Sequence, residues 1–380
     1  MTKWLPQIDE SAGPRYQAIA DALARDIAAG KLKAGDRLPT HRDLAWHLGV
    51  TVGTVSRAYA EAERRGLTSG EVGRGTFVNV PAQSDQLHRW HDTAPGTIHM
   101  RSAPPMPCAN EAAIGEVMAR VAASPRALEM MRYQPQRGLP EHREAGAAWV
   151  SRPGFQVGAE QVTVTAGAHH GVMAVLAAVT RPGDHIVCDS LTYPGVRSLA
   201  RLLGLRLEGL ARDAEGPLPD ALEEACRTHD VKALYLCPNQ HNPTSLTMPE
   251  QRRRALAEVA RRHGVAIAED DTFGFLDGEE PPPLSAHLPE LGFYIAGLSK
   301  TVSPGLRIGY VVAPEKARER VGGAVHSTCW MACPLTAEIA AELIRSGVGA
   351  EVSAARKREA EARSAIAREA LSGWDIDCAP

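Results

Sequence analysis

Apolar residues near the start of the chain recur at the spacing of an α-helix. One stripe of them lies between Pro14 and Gly30 and consists of Ile19, Leu23 and Ile27. A repeat of about 3.6 residues predicts an amphipathic helix with one buried face, and Gly30 is expected to end it.

Two shorter helices are predicted after this one. Thr40 and Asp43 have the spacing of a capping box, and Gly49 is expected to end the helix that they begin. Thr51 opens the next helix, whose predicted inward residues are Val55, Tyr59 and Ala62. Two short helices around a tight turn form a helix-turn-helix, in which the start of the second helix enters the major groove of DNA.

A hairpin is predicted over residues 67–78, where glycines lie between apolar ends. Arg74 at its tip is expected to contact phosphate or the minor groove. The predicted DNA contacts are Thr40, Arg42, Thr51, Thr54, Ser56, Arg57 and Arg74. The alternative left open by the pattern is that the helices and the hairpin form only a packing module.

The run GDRLPTHRDLAWHLGVTVGTVSRAYAEAERRGLTSGEVGRGTFV closely resembles the DNA-binding domain of GntR-type regulators, over about 65 residues. The resemblance implies that Arg42 binds phosphate and that Thr51 and Thr54 recognise bases. Members of that family often have arginine where this chain has Val52, so an altered base preference is expected.

The pattern changes after a polar stretch with prolines, residues 81–100, which is interpreted as a linker. Short β-rich runs then alternate with amphipathic stretches, which predicts a mostly parallel sheet with helices on both faces. These runs are residues 161–165, 185–188, 232–237, 265–268, 293–296 and 309–312. Thr247 and Glu250 are predicted to form a capping box, and residues 334–372 are predicted to be helical. The expected domains are therefore residues 1–80, a winged helix-turn-helix, and residues 101–380.

Composition and charge bear on the expected location, on DNA binding and on metal binding. The 380-residue chain has no apolar run long enough to span a membrane and no signal-peptide core, so a cytoplasmic protein without a membrane partner is expected. The net charge is −3, and residues 1–80 hold eleven Lys/Arg against nine Asp/Glu, so the DNA hypothesis depends on pattern. Scattered cysteines and the histidines of the linker lack ligand spacing, so no metal site is predicted.

Chemically distinct side chains follow the predicted strands, at the edge where parallel sheets bind ligands. A single cofactor, pyridoxal 5′-phosphate (PLP), requires a lysine for the Schiff base, a carboxylate for the pyridine nitrogen, a donor for the ring oxygen, a stacking ring and a phosphate site. The residues for these roles are, in that order, Lys300, Asp270, Asn242, Tyr193 and the pair Gly167 with Arg307. Burial beside Arg307 is expected to lower the pKa of Lys300. Each residue alone has a purely structural explanation, as a core aromatic, turn former, helix cap or surface cation.

The segments YQPQRGLPEHR, VTAGAHHG, DSLTYPG, CPNQHNPT, AEDDTFGF and LSKTVSPGLRIGYVVAP resemble the fold-type I aminotransferase family over roughly residues 95–380. The resemblance implies an internal aldimine at Lys300 and a PLP site that also includes Ala168, His169 and Ser299. It implies further that Tyr133 reaches the cofactor phosphate of the opposite subunit in a head-to-tail homodimer. A GntR-like head on such a domain is the arrangement of the MocR regulators.

Three departures from the aminotransferase pattern affect the expected function. Thr272 and Phe273 stand where a tyrosine is expected, Gly297 stands where many relatives have serine, and the chain stops at Pro380. The C-terminal small lobe is therefore expected to be truncated and to lack the arginine that binds a substrate carboxylate.

The predicted function is a PLP-dependent transcription regulator that binds a double-stranded DNA operator and senses PLP or an amine. One alternative is a functional PLP-dependent aminotransferase with a regulatory head. Another is a DNA-binding module whose second domain has lost the cofactor and serves only for dimerisation.

Overall fold

The computed structural model describes residues 4–8, 14–33, 35–71, 75–78, 104–108, 110–274 and 280–374. The chain divides into two compact units, one within residues 1–101 and the other within residues 102–380. No helix among the described residues is both long enough and apolar enough to cross a membrane.

The first unit contains three helices and a two-stranded antiparallel hairpin. These elements are α1 (Arg15–Ala28), α2 (His41–Leu48), α3 (Val52–Arg64), β1 (Thr68–Glu71) and β2 (Gly75–Val78). The hydroxyl of Thr40 accepts a hydrogen bond from the Asp43 amide and that of Thr51 accepts one from the Thr54 amide, so both predicted helix starts are confirmed. Gly49 ends α2 in the left-handed conformation, as predicted.

The apolar stripes of the three helices meet in one small core. Its buried members include Ile19, Leu23, Leu44, Val55, Ala58, Tyr59 and Val78. The inward face predicted for α3 is therefore confirmed, and residues at the other positions of α3 are left for solvent or a partner. Arg74 lies outside the described residues.

The second unit is built around a seven-stranded sheet with the order β3-β11-β10-β9-β8-β4-β5. Its strands are β3 (Val162–Thr165), β4 (His185–Asp189), β5 (Arg206–Leu210), β8 (Val231–Leu236), β9 (Ala266–Asp270), β10 (Gly292–Gly297) and β11 (Gly309–Val312). A separate small hairpin consists of β6 (Arg212–Asp213) and β7 (Gly216–Pro217). Strand β11 is antiparallel to both of its neighbours, and the others run in one direction.

Helices cover both faces of this sheet. They are α4 (Glu111–Ala123), α5 (Arg126–Glu129), α6 (Pro140–Val150), α7 (Ala168–Val179), α8 (Pro194–Leu202), α9 (Pro219–Thr228), α10 (Glu250–His263), α11 (Arg318–Cys329), α12 (Pro334–Arg345) and α13 (Val348–Ala370). Side chains alternate between the faces along β8: Ala233 and Tyr235 join one apolar cluster, while Leu234 and Leu236 join another. The predicted mostly parallel α/β sheet is thus confirmed.

The strand order brings distant parts of the sequence to one edge. Asp270 at the end of β9 pairs with Ile295 of β10, and Gly309 at the start of β11 pairs with both Gly297 and Thr165. Consequently the segments that follow β3, β9 and β10 and the segment that precedes β11 meet at the carboxyl edge, where open α/β sheets bind ligands.

Two features differ from the sequence predictions. Strand β5 was not predicted, because it lies at the sheet edge with exposed polar residues such as Arg206 and Glu208. The predicted capping box of Thr247 and Glu250 is wrong: α10 begins after Pro249 without a side-chain cap. The Thr247 hydroxyl instead accepts a hydrogen bond from the Gln240 amide at 3.3 Å, because the preceding loop folds back over it.

Candidate cofactor site and DNA-contacting face

Four of the predicted cofactor residues meet at the start of α7. Gly167 precedes this helix with φ +91°, and a Cβ at that position would lie 2.6 Å from the guanidinium of Arg307. Arg307 donates to the Ser299 hydroxyl at 3.3 Å and to the Ala166 carbonyl at 3.4 Å. Ala168 is the first residue of the helix. Only glycine combines this backbone conformation with room for the arginine.

This arrangement has the chemistry of a phosphate site. The backbone amides in the first turn of α7 lie at the carboxyl edge, and the Ser299 hydroxyl and the Arg307 guanidinium add donors of different geometry. Helix N-termini and guanidinium groups both bind phosphate oxygens favourably. The residues present therefore fit the phosphate group of PLP.

Two further glycines allow the close packing behind the phosphate site. A Cβ at Gly309 would lie 2.7 Å from the Ala168 amide nitrogen, and a Cβ at Gly297 would lie 3.1 Å from the Ala168 Cβ. Gly309 was not singled out from the sequence, because nothing local marks its contact with residue 168. The glycine at position 297 allows Ala168 to approach β10 closely.

Asp270 is a buried carboxylate with two hydroxyl donors. Tyr235 donates to it at 2.9 Å and Thr272 donates at 2.6 Å. Burial raises the pKa of Asp270, and the two hydrogen bonds oppose this shift. Tyr235 was not found from the sequence, because its position within β8 resembles that of an ordinary core aromatic residue. Thr272, which stands where the aminotransferase pattern predicts a tyrosine, therefore donates a hydrogen bond to Asp270 instead.

Lys300 lies just beyond β10, at the same edge as Asp270, and is partly buried. Burial alone lowers its pKa, so the predicted contribution of Arg307 to this shift is wrong. The Lys300 Nζ lies 5.5 Å from the ring centroid of Phe273. The lowered pKa favours the neutral amine, which is the nucleophilic form of lysine.

Tyr193 is half-buried and lies directly before α8. Burial raises the pKa of Tyr193; the Asp270 carboxylate adds to this increase and Arg307 opposes it, so the hydroxyl is within electrostatic reach of both. Its ring lies over Gly195, where a Cβ would overlap the ring, and its hydroxyl is 3.5 Å from the His169 Nδ1. His169 itself is exposed at the start of α7.

Asn242 is half-buried and precedes Pro243 through a cis peptide bond. A neighbouring amide, Asn239, is fully buried and donates to Asp271 at 2.9 Å. Asp271 also accepts from Arg152 at 2.9 Å and from the Tyr294 hydroxyl. The acidic run at the end of β9 therefore has a cationic partner, which the burial of such a run requires.

Tyr133 contacts none of these groups in its own chain. Its side chain is exposed (79%), and its ring lies 5.7 Å from that of Trp330, which in turn lies 4.4 Å from the ring of His326. An exposed aromatic pair of this kind is typical of a surface that contacts another protein.

The described residues among the predicted DNA contacts lie on α2 and α3 or directly before these helices. Thr40, Arg42 and Thr51 are exposed at the starts of α2 and α3. The Ser56 hydroxyl lies 3.1 Å from the His41 Nδ1, and the Arg57 guanidinium stacks 4.5 Å from the centroid of the Tyr16 ring.

The arginines of the first unit differ in whether they are already paired. Arg64 and Arg65, at the end of α3, form ion pairs with Glu61. Within the described ranges, no hydrogen bond or ion pair engages the Arg42 guanidinium, so it is available to an anion.

A cluster of possible metal ligands lies away from the carboxyl edge, at the start of β4, in β5 and just before β8. Ligand atoms of His185, Glu208 and His229 lie within 4.8 Å of one another, a spacing that suits a metal ion. Arg206, however, donates to the Nε2 of His185 at 3.3 Å and so occupies one of the two ring nitrogens that could bind a metal ion. These residues are far apart in sequence, which is why no spacing rule finds them.

Comparisons with known proteins agree with the two-part architecture. The family model of aminotransferase class I and II matches residues 105–380, and that of bacterial regulatory proteins of the gntR family matches residues 15–78. The chain is 30% identical over 372 residues to the uncharacterized HTH-type transcriptional regulator YdeF of Bacillus subtilis, covering 98% of this chain and 80% of YdeF.

Another relative and one solved structure extend the comparison. The chain is 28% identical over 305 residues to the HTH-type pyridoxine biosynthesis transcriptional regulator PdxR of Corynebacterium glutamicum, covering 78% of this chain and 65% of PdxR. It is similar to the crystal structure of an archaeal alanine:glyoxylate aminotransferase, with a TM-score of 0.64 and 26% identity over 69% of this chain and 67% of that one. The chain belongs to the HTH-type transcriptional regulators that join a GntR-type head to an aminotransferase class I and II domain, the MocR-type architecture.

Proposed function

We propose that this chain is a PLP-dependent, DNA-binding transcription regulator that senses PLP or an amine at Lys300. The proposal is carried by one observation: a partly buried lysine with a lowered pKa lies at the same sheet edge as a buried carboxylate and a phosphate-type site. The regulator named for pyridoxine biosynthesis among its relatives points to the same class of effector. A location with the DNA, in the cytoplasm, is part of the proposal.

Each cofactor residue has a separate task in this proposal. Gly167, Ala168, Ser299 and Arg307 bind the phosphate; Asp270 faces the pyridine nitrogen; Tyr193 stacks on the ring; and Asn242 and His169 complete the pocket. When bound, PLP supplies an aldehyde that condenses with primary amines. Lys300 supplies the amine of the protein and holds the cofactor covalently.

The regulatory step couples this site to the DNA-binding head. We take residues 1–80 as the head, residues 81–100 as the linker and residues 101–380 as the sensor. An effector shifts the equilibrium between two arrangements of the protein only if it binds them with different affinity. An amine that takes the place of Lys300 on the cofactor changes the contacts of Lys300, so it can produce such a difference.

The cofactor assignment is tested by absorbance spectroscopy. The purified protein mixed with PLP is expected to show a visible band that borohydride reduction fixes to the chain, and Lys300→Ala is expected to lose both properties. Lys316→Ala, which changes an exposed lysine of the same domain, is the matched control. Covalent PLP retained by Lys300→Ala would refute the assignment.

The DNA assignment is tested by titration onto DNA from the region upstream of the gene. If Arg42 binds phosphate, Arg42→Ala should weaken binding for all sequences and reduce the salt dependence of the affinity by about one phosphate per head. Arg25→Ala is the control, because Arg25 lies in the last turn of α1 and donates to the Gln7 carbonyl. Repeating the titration with PLP tests the coupling.

A second candidate function is turnover as an aminotransferase. It is favoured by the similarity of the second unit to the archaeal aminotransferase. Incubation of the PLP-loaded protein with an amino acid and a keto acid separates the two functions. Multiple turnovers indicate the enzyme, whereas a single half-reaction or none indicates the sensor.

A further inference from the structure

One of the exposed side chains at the start of α3 is apolar. Val52 is the first residue of this helix, and 45% of its surface is exposed. The next residue, Gly53, is also exposed and has no side chain. A single exposed valine is ordinary elsewhere on a protein. Here it stands where the second helix of a helix-turn-helix meets the major groove.

The hydroxyls around Val52 are already engaged within the head. The Thr51 Oγ1 accepts from the Thr54 amide at 3.2 Å and lies 2.9 Å from the Thr54 Oγ1. The Ser56 hydroxyl is paired with His41 on α2. These polar groups stabilise the helix start and the packing of α2 on α3, whereas nearly half of the Val52 surface is open to solvent or a partner.

The major groove offers one apolar group to such a side chain, the 5-methyl group of thymine. We propose that Val52 recognises the 5-methyl group of a thymine in each half-site of the operator. This inference rests on the proposed function of the head as a DNA-binding domain. It assigns the base preference of the recognition helix to apolar contact at this position.

The test uses the full-length protein and a duplex selected by it from a random DNA library. Each thymine of the selected site is replaced in turn by deoxyuridine, which keeps base pairing and every hydrogen-bonding group and removes only the methyl group. One position per half-site is expected to lose about fourfold in affinity, the effect of one buried methyl-sized group.

Variants then assign the effect to Val52. In Val52→Ala, which shortens an exposed side chain, deoxyuridine at that position should no longer change the affinity. Trp46→Ala is the matched control: Trp46 is exposed on α2, so its removal should leave the discrimination against deoxyuridine intact. Circular dichroism and hydrogen exchange of α3 confirm that each variant is folded.

The outcomes distinguish this inference from the proposed function. If the library yields no preferred duplex and the protein binds no DNA, the proposed function fails, and the inference fails with it. If a duplex is selected but deoxyuridine has no effect at any position, only the role of Val52 is overturned. The same holds if Val52→Ala still discriminates against deoxyuridine at the same position.

Discussion

At the scale of single residues, the buried carboxylate of Asp270 depends on two hydroxyl donors that come from different parts of the chain. Tyr235 in β8 and Thr272 after β9 both donate to Asp270. We predict that Tyr235→Phe lowers the free energy of unfolding by about 1–3 kcal/mol, because a buried carboxylate loses a partner. Urea unfolding at neutral pH measures this change.

The matched control for this prediction is Tyr310→Phe. Tyr310 is as buried as Tyr235, but burial alone accounts for its raised pKa, so no carboxylate depends on its hydroxyl. The control is expected to be less destabilised than Tyr235→Phe. Equal losses would mean that the bond to Asp270 contributes nothing specific.

A second prediction at this scale concerns Lys300 and pH. Because burial lowers its pKa below 10.5, the neutral and reactive amine is populated at lower pH than in a free lysine. The rate of PLP capture should rise with pH and reach its midpoint below 10.5. A midpoint at or above that value, measured by the growth of the visible band, would contradict the effect of burial.

The same shift has a consequence for stability. The folded chain holds this proton less tightly than the unfolded chain, so the contribution of Lys300 to the free energy of unfolding rises between its folded pKa and 10.5. At pH values below both the folded pKa and 10.5, Lys300 is a cation in both states, and its burial lowers the free energy of unfolding by a constant amount.

At the scale of elements, one buried glutamate joins three helices. Glu338 of α12 lies 2.8 Å from the Nε2 of His142 in α6, and it forms ion pairs with Arg345 at 3.1 Å and with Arg126 of α5 at 3.4 Å. Burial lowers the pKa of His142 and the bond to Glu338 opposes this shift. The network fixes the helices on either side of the segment that carries Tyr133.

We predict that Glu338→Gln destabilises the second unit by about 1–3 kcal/mol, because buried donors lose their charged acceptor. Unfolding in urea, followed by tryptophan fluorescence, measures the loss. Glu342→Gln, one turn later in α12 and more exposed, is the matched control and should change stability by less than about 1 kcal/mol. The interpretation fails if both variants unfold at the same urea concentration.

At the scale of the whole molecule, the position of Tyr133 concerns whether two subunits form each cofactor site together. Its exposed ring lies beside Trp330 rather than among the groups around Lys300 of its own chain. In the proposed head-to-tail homodimer, each cofactor site combines Lys300 of one subunit with Tyr133 of the other. Closed two-fold symmetry then produces two such sites.

Mixing two defective variants tests this arrangement. Lys300→Ala should abolish covalent capture of PLP, and Tyr133→Ala should weaken PLP binding. A heterodimer of the two variants would contain one site with both defects and one intact site, so mixing after dissociation should restore tight covalent binding. Sites made within one subunit would show no such recovery.

Much of the fold could be predicted from local pattern. The helix starts at Thr40 and Thr51 depend on a hydroxyl and an amide three residues apart, and the strands of the large sheet other than β5 follow from short apolar runs. Gly167 and the side chains after each strand could also be located from the sequence. These features depend on interactions between residues close together in the chain, so the order of residues determined them.

The tertiary structure decided which distant groups meet. Strand order places Gly309 against Ala168, brings Tyr235 to Asp270 and directs Arg152 to Asp271. It also left Tyr133 away from the groups that its own chain gathers at the carboxyl edge. None of these contacts has a sequence spacing that predicts it, because pairing between strands and packing across helices depend on the whole chain folding at once.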